Sequence, residues 1–208
     1  MAHDVRGLAK LYGGNNKLCD KLDDLFNASS KVTGKNASGD ISGMIGQYAQ
    51  GNEPGHQIIY MYSYLGQPWK TQQYLHQVLT TLYDNTPEGI CGNEDTGQMS
   101  AWYIMSSLGF YPASPGDGTY IKASPSFKNA KIHLSNGKTL ILKTNNLTDQ
   151  NIYIQSVTMN GKPYSKVYFQ HDELINGAEI VFEMGPQPNL CWGTGEGDLP
   201  PSMSDELK

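Results

Sequence analysis

Apolar positions recur with a helical period through the first half of the chain and with period two through the second, and the change falls near residue 115. Val5, Leu8 and Tyr12 mark a short first helix stopped by Gly13-Gly14, and Leu18, Leu22, Leu25 and Phe26 mark a second, so the two predict a helical hairpin. A Gly-, Ser- and Asn-rich stretch from Asn27 to Gly51 follows, a length that points to a functional loop or a lid. Pro54 then opens a helix through Ile58, Ile59, Tyr62 and Leu65, closed by Gly66. Pro68 starts the next, whose buried face is Leu75, Val78, Leu79 and Leu82. The last helix is expected from Thr96 to Leu108. Its sequence QMSAWYIMSSLG is apolar or small on nearly every face, which predicts burial on most sides.

Beyond residue 115 the pattern is that of strands. Lys131 to Leu134, Thr139 to Lys143, Ile152 to Val157, Lys166 to Phe169 and Glu179 to Glu183 alternate, and Asn136-Gly137, Asn160-Gly161 and Asn176-Gly177 are hairpin or turn signals. The expected class is α+β: residues 1–115 helical, 116–190 an antiparallel β module, and 191–208 a Pro- and Gly-rich tail, packed or frayed.

Within the helical part, GNEPGHQ at 51–57 and GNEDTGQ at 92–98 are near copies of one heptapeptide, 41 residues apart. One helix pair with its loops takes about 40 residues, so the two copies are expected at equivalent corners of consecutive helical hairpins, facing one end of a helical assembly. An α/α toroid builds a pocket in this way, from loops at one rim. The helices predicted here are too few to close such a ring, as in a piece of a longer protein. Each copy also has a plain structural reading. Asp95 with Gln98 fits an N-cap with its reciprocal partner, and Asn52 or Glu53 before Pro54 fits a helix start.

Capping leaves the clustering unexplained. Asn52, Glu53, Asn93, Glu94 and Asp95 would gather with little positive charge nearby, and concentrated carboxylate and amide oxygens favour a hard cation such as Ca²⁺. A carboxylate at a helix N-terminus also stays ionised, which suits a metal ligand or a base. His56 stands beside the first copy as either a satisfied buried histidine or a ligand contact. Trp102 and Tyr103 can stack on a ligand, but core packing is the ordinary role for such a helix. Asp4, after His3, reads equally as a cap or as a group near the pocket.

The remaining composition narrows the class. A net charge of −5 without a basic cluster argues against nucleic acid or an anionic membrane as a partner. Cys19, Cys91 and Cys191 are too widely spaced for a zinc site or a disulfide framework. No run of about 18 apolar residues and no signal-peptide core is present, so a soluble chain is expected. Asn27-Ala28-Ser29, Asn36-Ala37-Ser38 and Asn146-Leu147-Thr148 match the glycosylation sequon, a triplet that also arises by chance.

Three longer blocks carry a family resemblance: NEPGHQIIYMYSYLGQPWKTQ, GICGNEDTGQMSAWYIMSSLGFYPASPG and IYIQSVTMNGKPY, with AHDVRGLAKLYGG and DISGMIGQYAQGNEP extending it toward the start. Together they resemble the C-terminal part of the Ca²⁺-dependent exo-acting α-mannosidases of glycoside hydrolase family 92. The resemblance implies a partial (α/α)6 catalytic toroid followed by the β module, an inverting mechanism, Ca²⁺ on hydroxyls of a terminal mannose, and mannose-containing glycans as substrates. It further implies a secreted or periplasmic full-length protein. By the same resemblance Asp95 matches the general base, and Asn93 stands where relatives often carry a second base candidate; its amide cannot take a proton. Glu53 and Asn52 are implied as metal ligands, and Asn52, Glu94 and His56 as substrate contacts. The general acid lies on a segment upstream, so an isolated chain is expected to be nearly inactive, and the missing N-terminal part becomes a required partner. The competing reading is a non-catalytic module that binds carbohydrate or Ca²⁺ or serves only as structure. In either case exposed helix faces are expected to favour a homodimer.

Overall fold

The computed structural model describes residues 3–35 and 41–205. Helix α1 (Val5–Tyr12) starts where the Asp4 carboxylate accepts the Gly7 N–H at 2.9 Å and ends at Gly13, whose φ of 88° only glycine adopts cheaply. Asp4 is thus a cap. Helix α2 (Asn15–Asn27) buries Leu18, Cys19, Leu22 and Phe26, as its period requires. Phe26 stacks on Tyr74 of α4 (Pro68–Thr81) with ring centroids 4.1 Å apart, which joins the first hairpin to the next helix.

Three expectations for the helical part change. Part of the stretch from Asn27 to Gly51 pairs as a small hairpin, β1 (Met44–Ile45) with β2 (Tyr48–Ala49). The Asn36-Ala37-Ser38 triplet lies outside the described residues. The segment from Pro54 to Leu65 is not one helix but two 3-10 turns, Glu53–Gly55 and Ile58–Tyr60, and the short helix α3 (Met61–Tyr64). Ile59, Tyr60, Tyr62 and Tyr64 are all buried, and the Ile59 carbonyl accepts the Thr71 hydroxyl at 2.9 Å; packing on every face, rather than one stripe, decides the backbone.

Helix α5 (Gln98–Ser107) is the third change. It buries Met99, Trp102, Ser106 and Ser107 but leaves Ala101 and Tyr103 exposed and Ile104 57% exposed, because only one side of it is covered. The expectation of burial on most sides is corrected to one buried face. It also starts two residues late, after Asp95, Thr96 and Gly97 take φ of 47°, 61° and 91°.

A three-stranded sheet, β3 (Phe110–Ser114), β4 (Thr119–Lys122) and β9 (Tyr168–Gln170), follows α5. Strands β3 and β4 escape alternation because they face two cores: Ala113, Ile121 and Ala123 pack with the helices, and Phe110 with the β module. The larger sheet comprises β5 (Asn129–His133), β6 (Thr139–Asn145), β7 (Tyr153–Met159), β8 (Lys162–Pro163) and β10 (Ala178–Gly185), in the order β5-β6-β10-β7-β8. The chain leaves β8 for β9, turns through α6 (His171–Ile175) and re-enters between β6 and β7. Strand β10 therefore runs parallel to β6, which corrects an antiparallel module to a mixed sheet. Asn176-Gly177 accordingly follows α6 instead of closing a hairpin, with Gly177 at φ 75°.

The tail is packed where it is described. Trp192 is buried in the second core, and the Ser202 hydroxyl donates to Asp4 at 2.8 Å. Arg6 pairs with Asp205 at 2.6 Å.

Candidate active site

The two Gly-Asn-Glu copies meet. The first leaves β2 at Gly51; the second leaves an isolated bridge between Tyr83 and Ile90 and reaches Gly92. A Cβ on Gly92 would lie 2.7 Å from the Gly51 Cα, so the backbones touch at a distance that only glycine tolerates. From that contact Asn52 and Glu53 diverge on one side and Asn93 and Asp95 on the other. All four line one cavity of about 410 Å³, closed on a third side by Val32, Met44 and neighbours.

Asp95 owes its direction to strain. Two consecutive non-glycine residues with positive φ, Asp95 and Thr96, cost about 1–2 kcal/mol each, and such turns persist where the surroundings impose them. Here the turn brings the Asp95 carboxyl within hydrogen-bonding reach of Glu53. A proton shared between them, and then their mutual repulsion, raise the Asp95 pKa; the same hydrogen bond lowers that of Glu53. Asp95 therefore does not cap α5, whose N-cap is Gly97.

Glu94 takes the capping role. Its carboxylate accepts the Ser100 N–H at 2.9 Å and the Ser100 hydroxyl at 2.7 Å, away from the cavity lining. His56 is 1% exposed beneath the rim. Its Nε2–H donates to the Gln50 carbonyl at 2.9 Å, and Nδ1 lies 3.3 Å from Gln98 Nε2, so both ring nitrogens are engaged inside the protein. Burial lowers its pKa, and the Gln50 carbonyl opposes this in part. Trp102 is fully buried with its ring 5.3 Å from that of His56, and thus packs the floor, while Tyr103 lies against Tyr83 with centroids 4.9 Å apart.

Sequence reasoning missed this supporting layer. Gln50 donates to the Tyr83 hydroxyl at 2.8 Å and Gln98 to the Tyr111 hydroxyl at 3.0 Å. One signal was present: Gln57 and Gln98 close the two copies at the same place, although only Gln57 is used locally, on the Pro54 carbonyl at 2.6 Å, while Gln98 reaches Tyr111 and His56.

The donor set fits a hard cation only in part. Two carboxylates and two amides face the cavity, and Glu53 Oε1 is shielded with no hydrogen-bond partner. Among the described residues, however, no group of three or more His, Cys, Asp or Glu gathers, whereas Ca²⁺ takes about 6–8 oxygens. These residues can supply part of such a site. Among the described residues no salt bridge reaches Glu53 or Asp95, and no helix is long and apolar enough to cross a membrane.

Residues 1–186 match the model of the glycosyl hydrolase family 92 catalytic domain. Among solved structures, a family GH92 α-mannosidase of Bacteroides thetaiotaomicron in complex with mannoimidazole is 35% identical, with a TM-score of 0.90 over 97% of this chain and 26% of its own. An inverting GH92 mannosidase of the same organism is 37% identical, with a TM-score of 0.85 over 98% of this chain and 28% of its own. An uncharacterized secreted glycosidase of Arthroderma benhamiae is 29% identical over 99% of this chain and 25% of its own length. The chain thus spans about a quarter of each relative's length, and it belongs to glycosyl hydrolase family 92.

Proposed function

We propose that the chain is the C-terminal part of an inverting, Ca²⁺-dependent exo-α-mannosidase that removes terminal α-linked mannose from glycans, with Asp95 as general base. The whole protein is secreted or periplasmic in this reading. The observation that carries it is the convergence of Glu53 and Asp95, from two separate copies of one motif, on a single cavity. The similarity to an inverting GH92 mannosidase supports the class of reaction.

A general base must stand near the water that it deprotonates, with a pKa shifted toward the working pH. Asp95 is exposed at the cavity, and Glu53 raises its pKa. Inversion places the acid and base carboxyls about 6.5–9.5 Å apart across the sugar. Glu53 is too close to Asp95 to be that acid, and Glu94 is committed to Ser100. The acid therefore comes from another part of the catalytic fold. Asn52 and Asn93 would contact sugar hydroxyls, and Glu53 with Asn52 would hold Ca²⁺, which when bound grips mannose hydroxyls and favours a distorted ring. His56 sits behind this layer and holds the two loops together.

The test combines the chain with the remaining part of the catalytic fold and follows mannose release by NMR. Expected are release of β-mannose from an α-mannoside and a loss of about 10²–10⁴ in rate for Asp95→Asn. Retention of configuration, or full activity in that variant, would overturn the assignment.

A further inference from the structure

A second recess lies where α4 meets the β module, at residues that the proposed reaction does not use. One cavity of about 630 Å³ opens between His76 and Thr80 of α4, residues 124–128 and the loop between β6 and β7. Another of about 450 Å³ adjoins it, and the two share Lys128, Leu147 and Thr148. Each is large enough for a small ligand, since such sites span about 300–1,000 Å³.

The lining is specific in character. Phe127 leaves 48% of its surface exposed at the wall of the first cavity. Thr144, 5% exposed, lines the second, and its Oγ1 is shielded with no hydrogen-bond partner. It faces the core with Leu140 and Leu142, whereas Asn129 and Asn145 stand exposed on the opposite face of the sheet and are open to a ligand. Asn145 and Asn146 both give their amide N–H groups to Glu183, so their conformations are fixed. The loop between them and β7 is braced from within, because the Thr148 hydroxyl accepts the Asn151 N–H at 3.0 Å and Asn151 Nδ2 donates to the Asn146 carbonyl at 2.7 Å.

Charge narrows the ligand. Lys143 is paired with Glu179 at 2.7 Å, Asp149 stands in the first cavity with Lys128 and His76, and burial lowers the His76 pKa although Asp149 opposes this, so no concentration of positive charge invites a phosphate. An exposed ring beside amides and hydroxyls, nearly neutral overall, matches the two faces of a sugar: an apolar C–H face and a rim of hydroxyls. We propose that this double recess is a non-catalytic carbohydrate site for an uncharged hexose unit of a glycan, with Phe127 beneath the ring and Asn129 and Asn145 on its hydroxyls. It stands apart from the Glu53–Asp95 cavity and does not rest on the catalytic reading.

The experiment is an amide NMR titration of the chain with the methyl α-glycosides of mannose, glucose and galactose and with a linear mannotriose. Saturable shifts at Phe127, Thr144 and Leu147 are expected, and they persist when Glu53→Gln and Asp95→Asn are combined. Phe127→Ala, checked for an otherwise unchanged spectrum, loses them; Phe127→Trp restores or tightens binding; Asn129→Ala, at an exposed position of the wall, weakens it at least threefold. Tighter binding of the trisaccharide than of the monosaccharides identifies a glycan arm as the ligand, and equal binding identifies a single sugar. Absence of saturable shifts at residues 124–129 and 144–151 with every sugar, or shifts unaffected by Phe127→Ala, overturns the site. Shifts lost only in the Glu53/Asp95 variant also overturn it, and locate sugar at the other cavity.

Discussion

The Nδ1 atom of His56 lies 3.3 Å from Nε2 of Gln98, so the two copies of the Gly-Asn-Glu motif are tied to one another directly behind the carboxylates that they present. Each partner comes from a different copy, and the Gly51–Gly92 contact is the second tie. The separation of Glu53 and Asp95 is thus fixed from below.

Loss of the imidazole is therefore costly. His56→Ala leaves the Gln50 carbonyl and the Gln98 amide without this partner and opens a void beside Trp102, and about 3 kcal/mol of destabilisation is expected in urea unfolding. A pH signature accompanies it. Burial lowers the folded His56 pKa, so below about 6.5 the unfolded chain binds more protons, and stability falls as pH drops toward the folded value. His76 is shifted in the same direction, so the wild type minus His56→Gln difference isolates the His56 share. A difference independent of pH from 7.5 to 5 would mean that the ring is not held neutral.

The carboxyl pair titrates unevenly. Glu53 raises the Asp95 pKa through a shared proton and repulsion, and Asp95 lowers that of Glu53. Carbon-detected NMR should show Asp95 losing its proton above the ordinary aspartate range, with repulsion appearing as pH rises through that value. Glu53→Gln should return Asp95 toward ordinary behaviour, and Ca²⁺, if the pair contributes to its site, should lower the Asp95 value in the wild type more than in the variant. Ordinary, independent titration of both groups would show that the two rims do not meet in solution.

How much of this was legible in the sequence depends on what set each element. Leu18, Leu22 and Phe26 show a clean stripe because α2 has one buried face, and β5 and β6 alternate because their sheet has one, whereas β7 loses the alternation where its pairing with β10 shifts register. The meeting of residues 52–53 with 93 and 95 was legible as well, since a repeated motif at one helix-pair spacing brings its copies together, but the turning away of Glu94 toward Ser100 was not. Where burial surrounds the chain the period vanishes: Ile59 to Tyr64 broke into turns, and β3 went unseen between two cores. Asp95 had the sequence of an N-cap, but local preference lost to the turn that directs it at Glu53, and Glu94 took the cap instead. The parallel entry of β10 depends on a crossover through a second sheet, which alternation along one strand does not encode.

Asp4 joins the two ends of the described chain, and acid should release them. Burial pushes its pKa up, but hydrogen bonds from Ser202, Gly7 and Ser204 prevail and hold it down at about 2. Its unfolded value is about 3.9, so its contribution is complete above that pH and is lost as pH falls from about 4 toward 2. Asp4→Asn should remove this component and fray residues 200–205, visible as faster amide exchange in the tail and at Gly7. Unchanged exchange in that variant would show that the Arg6–Asp205 pair alone retains the tail.

Lys122 is 1% exposed, with its ammonium 3.7 Å from the centre of the Tyr164 ring and 4.0 Å from that of Phe169, and it donates to the Lys166 carbonyl at 2.6 Å. Burial lowers its pKa well below the ordinary lysine value, so the stability linked to this group is present only above about pH 10.4 and is lost as pH falls. At neutral pH the burial penalty and the cation–π contacts oppose each other. Buried charges replaced by apolar groups of similar shape commonly leave a protein as stable or about 1–4 kcal/mol more so, and methionine keeps both the stem and a favourable contact with the rings. Lys122→Met should thus raise the urea midpoint at pH 7, with a gain that shrinks toward pH 10. Lys122→Ala should lower it by about 2–4 kcal/mol through the void alone. If Lys122→Met instead loses more than about 1 kcal/mol at pH 7, the two rings and the carbonyl bind the ammonium more strongly than water does, and the lysine is a net stabiliser of the joint between the two sheets.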